Sequence, residues 1–147
     1  MPTDYHQALQ GLIFEALMAW TRHHSGKVRV APLRLRIREG LFREPDLLLL
    51  KDTKDPRREN RFWTGADLVI EIVSPDHPER DLVEKRLDYA EASISEYWIV
   101  DPRKDTISLL QLDGDNYRET VFSRGSLFRS GILENFELEV DTLFDVD

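Results

Sequence analysis

There is no cysteine among the 147 residues. A disulfide scaffold, a zinc–thiolate site and a cysteine nucleophile are therefore excluded. The four histidines (His6, His23, His24, His77) form neither an H-x₃₋₅-H nor an HExxH spacing, so no histidine-built zinc site is expected. No apolar run approaches the ~20 residues that a membrane-spanning helix needs. The start, Met1-Pro2-Thr3-Asp4, lacks the basic residues and apolar stretch of a signal peptide. These absences predict a cytoplasmic protein with no membrane partner. Internal repeats, low-complexity tracts and long linkers are also missing. With 41% hydrophobic residues, the chain reads as one folded domain spanning residues 1–147.

Charge is present but unevenly spread. Twenty Lys and Arg against twenty-eight Asp and Glu give a net charge of −8. Residues 22–61 hold twelve bases against six acids, for +6, whereas residues 62–147 hold eight against twenty, for −12. The acidic total does not favour nucleic-acid binding, but steering follows the local field rather than the sum. A basic first half fits a polyanion bound at one face, and fits ordinary solvated surfaces equally well.

The order of elements reads helix, strands, helix, strands. Leu9, Leu12, Ile13, Ala16, Leu17 and Trp20 form one helical stripe within residues 5–21. Thr3 is the N-cap candidate, and Ser25-Gly26 ends the helix. From Val28 the period becomes two: Val28 and Val30 come first, then Leu33, Leu35 and Ile37 alternate with Arg34, Arg36 and Arg38. That is a half-buried strand with an arginine face. After a turn at Glu39-Gly40, a second strand contains Pro45-Asp46 and the apolar run Leu47 to Leu50. A charged loop follows over residues 51–62, then the β-branched stretch Ala66 to Val73. Ser74-Pro75 stops it, and Asp76 to Glu79 lead into a helix near 80–92. Tyr97 to Val100 is another buried strand, followed by short antiparallel strands near 106–112, 117–122 and 136–140.

Two carboxylates stand in apolar surroundings. Glu71 is central in VIEIV, and an ionised carboxylate buried alone there costs several kcal/mol. It is therefore paired, protonated, or holding a cation. Alternation puts Asp67, Val69, Glu71 and Val73 on one face. Asp46 opens an apolar run directly after a proline, and converges on Glu71 if the two strands are neighbours. Two hard oxygen ligands, with water completing the shell, suit Mg²⁺. The simpler alternative is a structural ion pair between Glu71 and an arginine such as Arg34 or Arg36. Lys85 lies on the following helix with Leu82, Arg86 and Tyr89 on one side. From there it can face the sheet, orient a water and offset charge on a phosphoryl transition state. Its alternative is an i,i+4 pair with Asp81. Together, Asp46, Glu71 and Lys85 form a nuclease constellation.

The segments R-E-P-D-L (43–47), D-L-V-I-E-I-V-S-P-D (67–76), K-R-L-D-Y (85–89) and E-Y-W-I-V-D-P (96–102) resemble the Uma-type restriction endonucleases of the PD-(D/E)XK superfamily. The resemblance runs from about residue 6 to the C-terminus. It implies an α/β fold with a mixed sheet: the restriction-endonuclease-like α-β-β-β-α-β core, with additional C-terminal strands. Pro45-Asp46 is then the "PD", Glu71 the second acid, and Val73 stands where the superfamily has lysine. In this family the lysine comes from the next helix, where Lys85 fits. The E-L-I-D-G-like stretch that precedes the first helix in family members is absent from this sequence.

The resemblance implies metal-dependent hydrolysis of DNA phosphodiesters, leaving a 5′-phosphate and a 3′-hydroxyl. Asp46, Glu71 and the Ile72 carbonyl would hold Mg²⁺ (or Mn²⁺), with Lys85 acting on the attacking water. A homodimer is expected of an enzyme that cuts two strands. Candidates for phosphate contacts are Arg34, Arg36, Arg57, Arg58 and Arg61, with Arg38, Arg43, Lys51 and Lys54 behind them. Glu15 reads as solvated, His6 as packed at the edge of the stripe, Asp67 as part of a solvated turn, and Tyr89 as core. Ser74 reads as a capping hydroxyl, and Trp63 and Trp98 as core or interface. The rival reading is a nuclease-fold binding or structural protein in which Glu71 pairs with Lys85 and no metal enters.

Overall fold

The computed structural model describes residues 3–76 and 79–147. The first helix, α1, runs Asp4–His24. Thr3 caps it by accepting the His6 amide, and the amide of Ser25, in a left-handed conformation, closes it on the Thr21 carbonyl. Then come β1 (Lys27–Val30), β2 (Arg34–Arg38), β3 (Leu41–Arg43), β4 (Leu47–Leu50), β5 (Phe62–Trp63) and β6 (Leu68–Ile72). Helix α2 (Glu79–Glu91) leads to β7 (Glu96–Asp101), β8 (Thr106–Asp113), β9 (Asn116–Phe122), β10 (Leu127–Arg129), β11 (Glu137–Glu139) and α3 (Val140–Phe144).

The main sheet has strand order β1-β4-β6-β7-β8-β9. Only β6 and β7 run parallel, joined by α2 as the crossover, and every other pair is antiparallel. Taken as α1, β1, β4, β6, α2 and β7, the central elements are the expected α-β-β-β-α-β core. The C-terminal strands extend its edge. Leu47 to Leu50 is uniformly apolar because β4 is central and buried on both faces. Leu47 and Leu49 join the cluster under α1 and α3, whereas Leu48 and Leu50 face Leu35, Trp63 and Tyr89 on the other side. That second side is covered by α2 and by a small sheet of order β3-β2-β5.

Three strand boundaries differ from the sequence reading. The stretch from Val28 to Arg38 is two strands in two sheets, separated by a turn at Ala31–Pro32. Period-two alternation holds on either side of the turn, but its phase shifts by one between Val30 and Leu33, and that shift, with Pro32, coincides with the change of sheet. The strand expected around Pro45-Asp46 is also divided. Residues 41–43 pair with β2 and residues 47–50 with β1 and β6, because Pro45 has no N–H to offer a ladder. Finally, the strand expected over 136–140 ends at Glu139, and Val140 begins a short helix. The lead-in to α2 includes His77 and Pro78, which lie outside the described residues. Among the described residues, no helix is long and apolar enough to cross a membrane.

Candidate active site

The antiparallel register of β4 on β6 pairs Leu47 with Ile70, which brings the entrance of β4 beside the exit of β6. Asp46 and Glu71 occupy those two ends. Asp46 Oδ2 accepts the amide of Ile72 at 2.7 Å, so the strand that carries Glu71 also orients Asp46. Glu71 is 5% exposed. Its Oε2 accepts the Tyr89 hydroxyl at 2.5 Å, and its Oε1 lies 3.5 Å from Lys85 Nζ. Lys85 also lies 3.3 Å from Asp81, one turn earlier on α2. Both sequence alternatives for Lys85 therefore hold together: it faces Glu71 and pairs with Asp81.

Burial pushes the Glu71 carboxyl up to about 7. Lys85 opposes that shift, the neighbouring Asp46 charge adds to it, and the Tyr89 hydrogen bond opposes it. The Tyr89 phenol is pushed well above its ordinary value, first by burial and then by Glu71. It consequently remains a donor. Tyr89 packs edge-on against Tyr97 at 4.9 Å, so it is at once a core residue and a partner of the site carboxylate. The arginine partners considered for Glu71 are not used, since Arg34 and Arg36 lie on the small sheet's exposed face. Arg43 borders the site, gripping Asp88 with Nε and Nη2 and approaching Asp81 at 3.6 Å.

His6 belongs to this site, although its place on the helical stripe predicts only packing. Its Nε2 is 3.4 Å from Asp46 Oδ1, and its Nδ1 is buried without a hydrogen-bond partner among the described residues. Asp46 is thus held by β6 on one oxygen and approached by α1 on the other. No signal in the sequence places His6 there, because the wheel of α1 shows only that it borders the apolar stripe. Removal of a group that orients a metal-ligating carboxylate typically costs 10–100-fold in metal affinity. If Asp46 ligates a metal ion, His6→Ala should weaken Mn²⁺ binding on the order of 10-fold in calorimetric titration, while His6→Gln retains part of it.

The other residues singled out in the sequence sit elsewhere. Asp67 opens the opposite end of β6, where it accepts the Lys51 amide and Arg57 Nη2 at 2.8 and 2.9 Å. It is an anchor for the 51–65 loop rather than part of a solvated turn. Arg57 is committed to Asp55 and Asp67, Arg58 donates to the Thr53 carbonyl, and Arg61 is exposed. Ser74 donates to Asp76 within the turn, Glu15 is exposed, and Trp63 and Trp98 are core. Val73 is buried and its amide bonds to the Val100 carbonyl, so β6 presents no lysine after Glu71.

The mixed sheet, with α1 on one face and the crossover helix α2 on the other, has the restriction-endonuclease-like order, and two acids and a lysine meet at one end of it. The family described as "Uma2: Putative restriction endonuclease" matches residues 1–141, and the chain belongs to that family. A crystal structure titled "a putative nuclease belonging to DUF820 from Anabaena variabilis ATCC 29413" is similar to it, with a TM-score of 0.80 and 20% sequence identity. The similarity covers 98% of this chain and 82% of that one. No curated protein matches.

Among the described residues, no three His, Cys, Asp or Glu side chains gather as a metal cluster. The oxygen donors that could hold an ion here are two carboxylates, Asp46 and Glu71. That suits Mg²⁺, which keeps several waters and takes one or two protein carboxylates. A buried carboxyl whose pKa is raised to about 7 also suits a cation, which offsets the desolvation of its charged form.

Proposed function

We propose that the protein is a divalent-metal-dependent DNA endonuclease, and that Asp46, Glu71 and Lys85 are its catalytic residues. The supporting observation is the convergence of the three. Lys85 lies 3.5 Å from Glu71, and Asp46 is fixed by the amide next to Glu71. Asp46, Glu71 and the Ile72 carbonyl would hold Mg²⁺ or Mn²⁺. The chemistry such an ion supplies when bound is Lewis acidity toward water and the phosphoryl oxygens.

The protein's own groups do the rest. Asp46 is held in one orientation, so it presents its carboxylate without rearrangement. Tyr89 donates to one Glu71 oxygen and leaves the other facing Lys85. The Lys85 ammonium carries a proton at Nζ and positive charge at the place where a phosphodiester would develop negative charge. Asp81 holds that ammonium from the solvent side. Residues 1–147 act as one domain in this reading, in the cytoplasm, and two copies related by a two-fold axis cut the two strands.

A second reading draws on the same contacts. Tyr89 and Lys85 already satisfy Glu71, as they would in a nuclease-fold protein that only binds. Calorimetric titration of Mn²⁺ combined with plasmid nicking separates the two. Metal binding by wild type, with nicking that falls on the order of 10²-fold in Lys85→Ala, is the expected result. Absence of metal binding by wild type would leave a structural ion pair and refute the enzyme reading.

A further inference from the structure

The small sheet carries a surface that catalysis does not use. Arg34 and Arg36 project from the exposed face of β2, opposite the buried Leu35 and Ile37. The β2–β3 register sets Arg36 across from Phe42, and the β2–β5 register sets Arg34 across from Phe62. Each guanidinium then leans onto the diagonal ring. Arg34 Cζ lies 4.4 Å from the Phe42 centroid and Arg36 Cζ 5.7 Å from that of Phe62. The two rings meet edge to face at 5.2 Å. Four side chains from three strands form one arginine–aromatic platform.

Its neighbours are neutralised and it is not. Arg38 is paired with Glu91, Arg43 with Asp88, and Arg57 with Asp55 and Asp67. Arg34 and Arg36 have no ion pair or hydrogen bond among the described residues, and Arg61, next to Phe62, is exposed. A guanidinium lying on a ring is restrained and only weakly hydrated, and its edge donors stay free for a bidentate phosphate contact. Phe42 precedes Asp46 by four residues, at most about 14 Å of chain. That is the span of about four nucleotides along one DNA strand.

We propose that the Arg34–Arg36–Phe42–Phe62 platform binds backbone phosphates of duplex DNA flanking the phosphodiester at Asp46 and Glu71. This rests on the nuclease reading for its substrate, and its test does not depend on cleavage. The test is fluorescence anisotropy of a labelled duplex with the full chain in EDTA, at several salt concentrations from 50 to 200 mM. Arg34→Gln/Arg36→Gln is expected to weaken binding at least 10-fold at low salt. It should also reduce the slope of log affinity against log salt by about 1.8, the equivalent of two phosphates. Phe42→Leu/Phe62→Leu keeps the charges and removes the rings, so affinity should fall several-fold with the slope retained. Arg22→Gln/Arg118→Gln removes the same charge from two other exposed positions and should change both little.

Equal losses in the control pair, or wild-type affinity and slope in the platform variant, would overturn the proposal. So would failure of wild type to bind duplex, or displacement by poly-glutamate as effective as by unlabelled duplex. Platform-dependent binding without metal-dependent nicking would refute the nuclease reading and leave the platform standing. Nicking with platform-independent binding would do the reverse.

Discussion

Glu71→Gln should abolish metal-dependent nicking and calorimetric metal binding, and should make the metal-free protein more stable at pH 8. The two effects share one cause. Burial places the Glu71 carboxyl at about 7 in the folded chain, against 4.5 for an ordinary glutamate. The folded-state value is the higher one. Stability from this group is therefore complete below about pH 4.5 and declines as the unfolded chain ionises first. It is lost once pH passes the folded value near 7. The accumulated difference is about 3 kcal/mol. Glutamine keeps an acceptor for the Tyr89 hydroxyl and does not titrate. The variant and wild type should melt alike at pH 4.5 and separate by on the order of 10 °C at pH 8. Added Mn²⁺ should raise the melting temperature of wild type more at pH 8 than at pH 5, and that of Glu71→Gln at neither. Identical pH profiles for the two proteins would show that Glu71 is ionised at no cost, and would remove the reason to expect a cation there.

The part of this site legible in the sequence is the part with a local desolvation cost. Glu71 in VIEIV and Asp46 before four leucines stand out because nothing nearby in the chain solvates them. Lys85 is legible from helical spacing, since Tyr89 one turn later marks the side that faces the sheet. The contacts that require a third element are not legible. His6 reaches Asp46 across 40 residues of chain, and the wheel of α1 says only that it borders the apolar stripe. The Arg34 to Arg38 face is plain from alternation, but Phe42 and Phe62 become its platform only through pairing of β3 and β5 with β2. The break between β1 and β2 is marked in the sequence by the phase shift from Val30 to Leu33 at Pro32, but which sheet each strand joins is not. The three-residue β10 and the five-residue α3 are too short to show a period.

Glu96 is the second buried glutamate and the opposite of the first, so replacing it should damage the fold and spare the chemistry. It opens β7 and is fully buried. Its donors explain its place. Trp98 Nε1 and the Ser130 hydroxyl donate to Oε2 at 2.7 and 2.5 Å, and the Gly131 and Ile132 amides to Oε1 at 2.8 and 3.1 Å. Three of the four come from a loop that starts 34 residues later. Glu96 therefore pins that loop, and with it Leu133 and Phe136, onto the α1 side of the sheet. Gly131 must approach closely, since a Cβ there would lie 3.0 Å from the Glu96 carboxylate and closer still to Gln111. Glu96→Ala leaves these donors unmet and a cavity beside Trp98, at a cost of about 3–5 kcal/mol. That predicts a fall in melting temperature on the order of 10 °C. Glu96→Gln can serve one pair of donors with its carbonyl but sets an amide against the other, so about half the loss should remain. Below its melting point, Glu96→Ala should bind Mn²⁺ with wild-type affinity, because none of its contacts touches Asp46, Glu71 or Lys85. A Glu96 variant that kept its stability and lost metal binding would mean that the two carboxylates had been assigned the wrong way round.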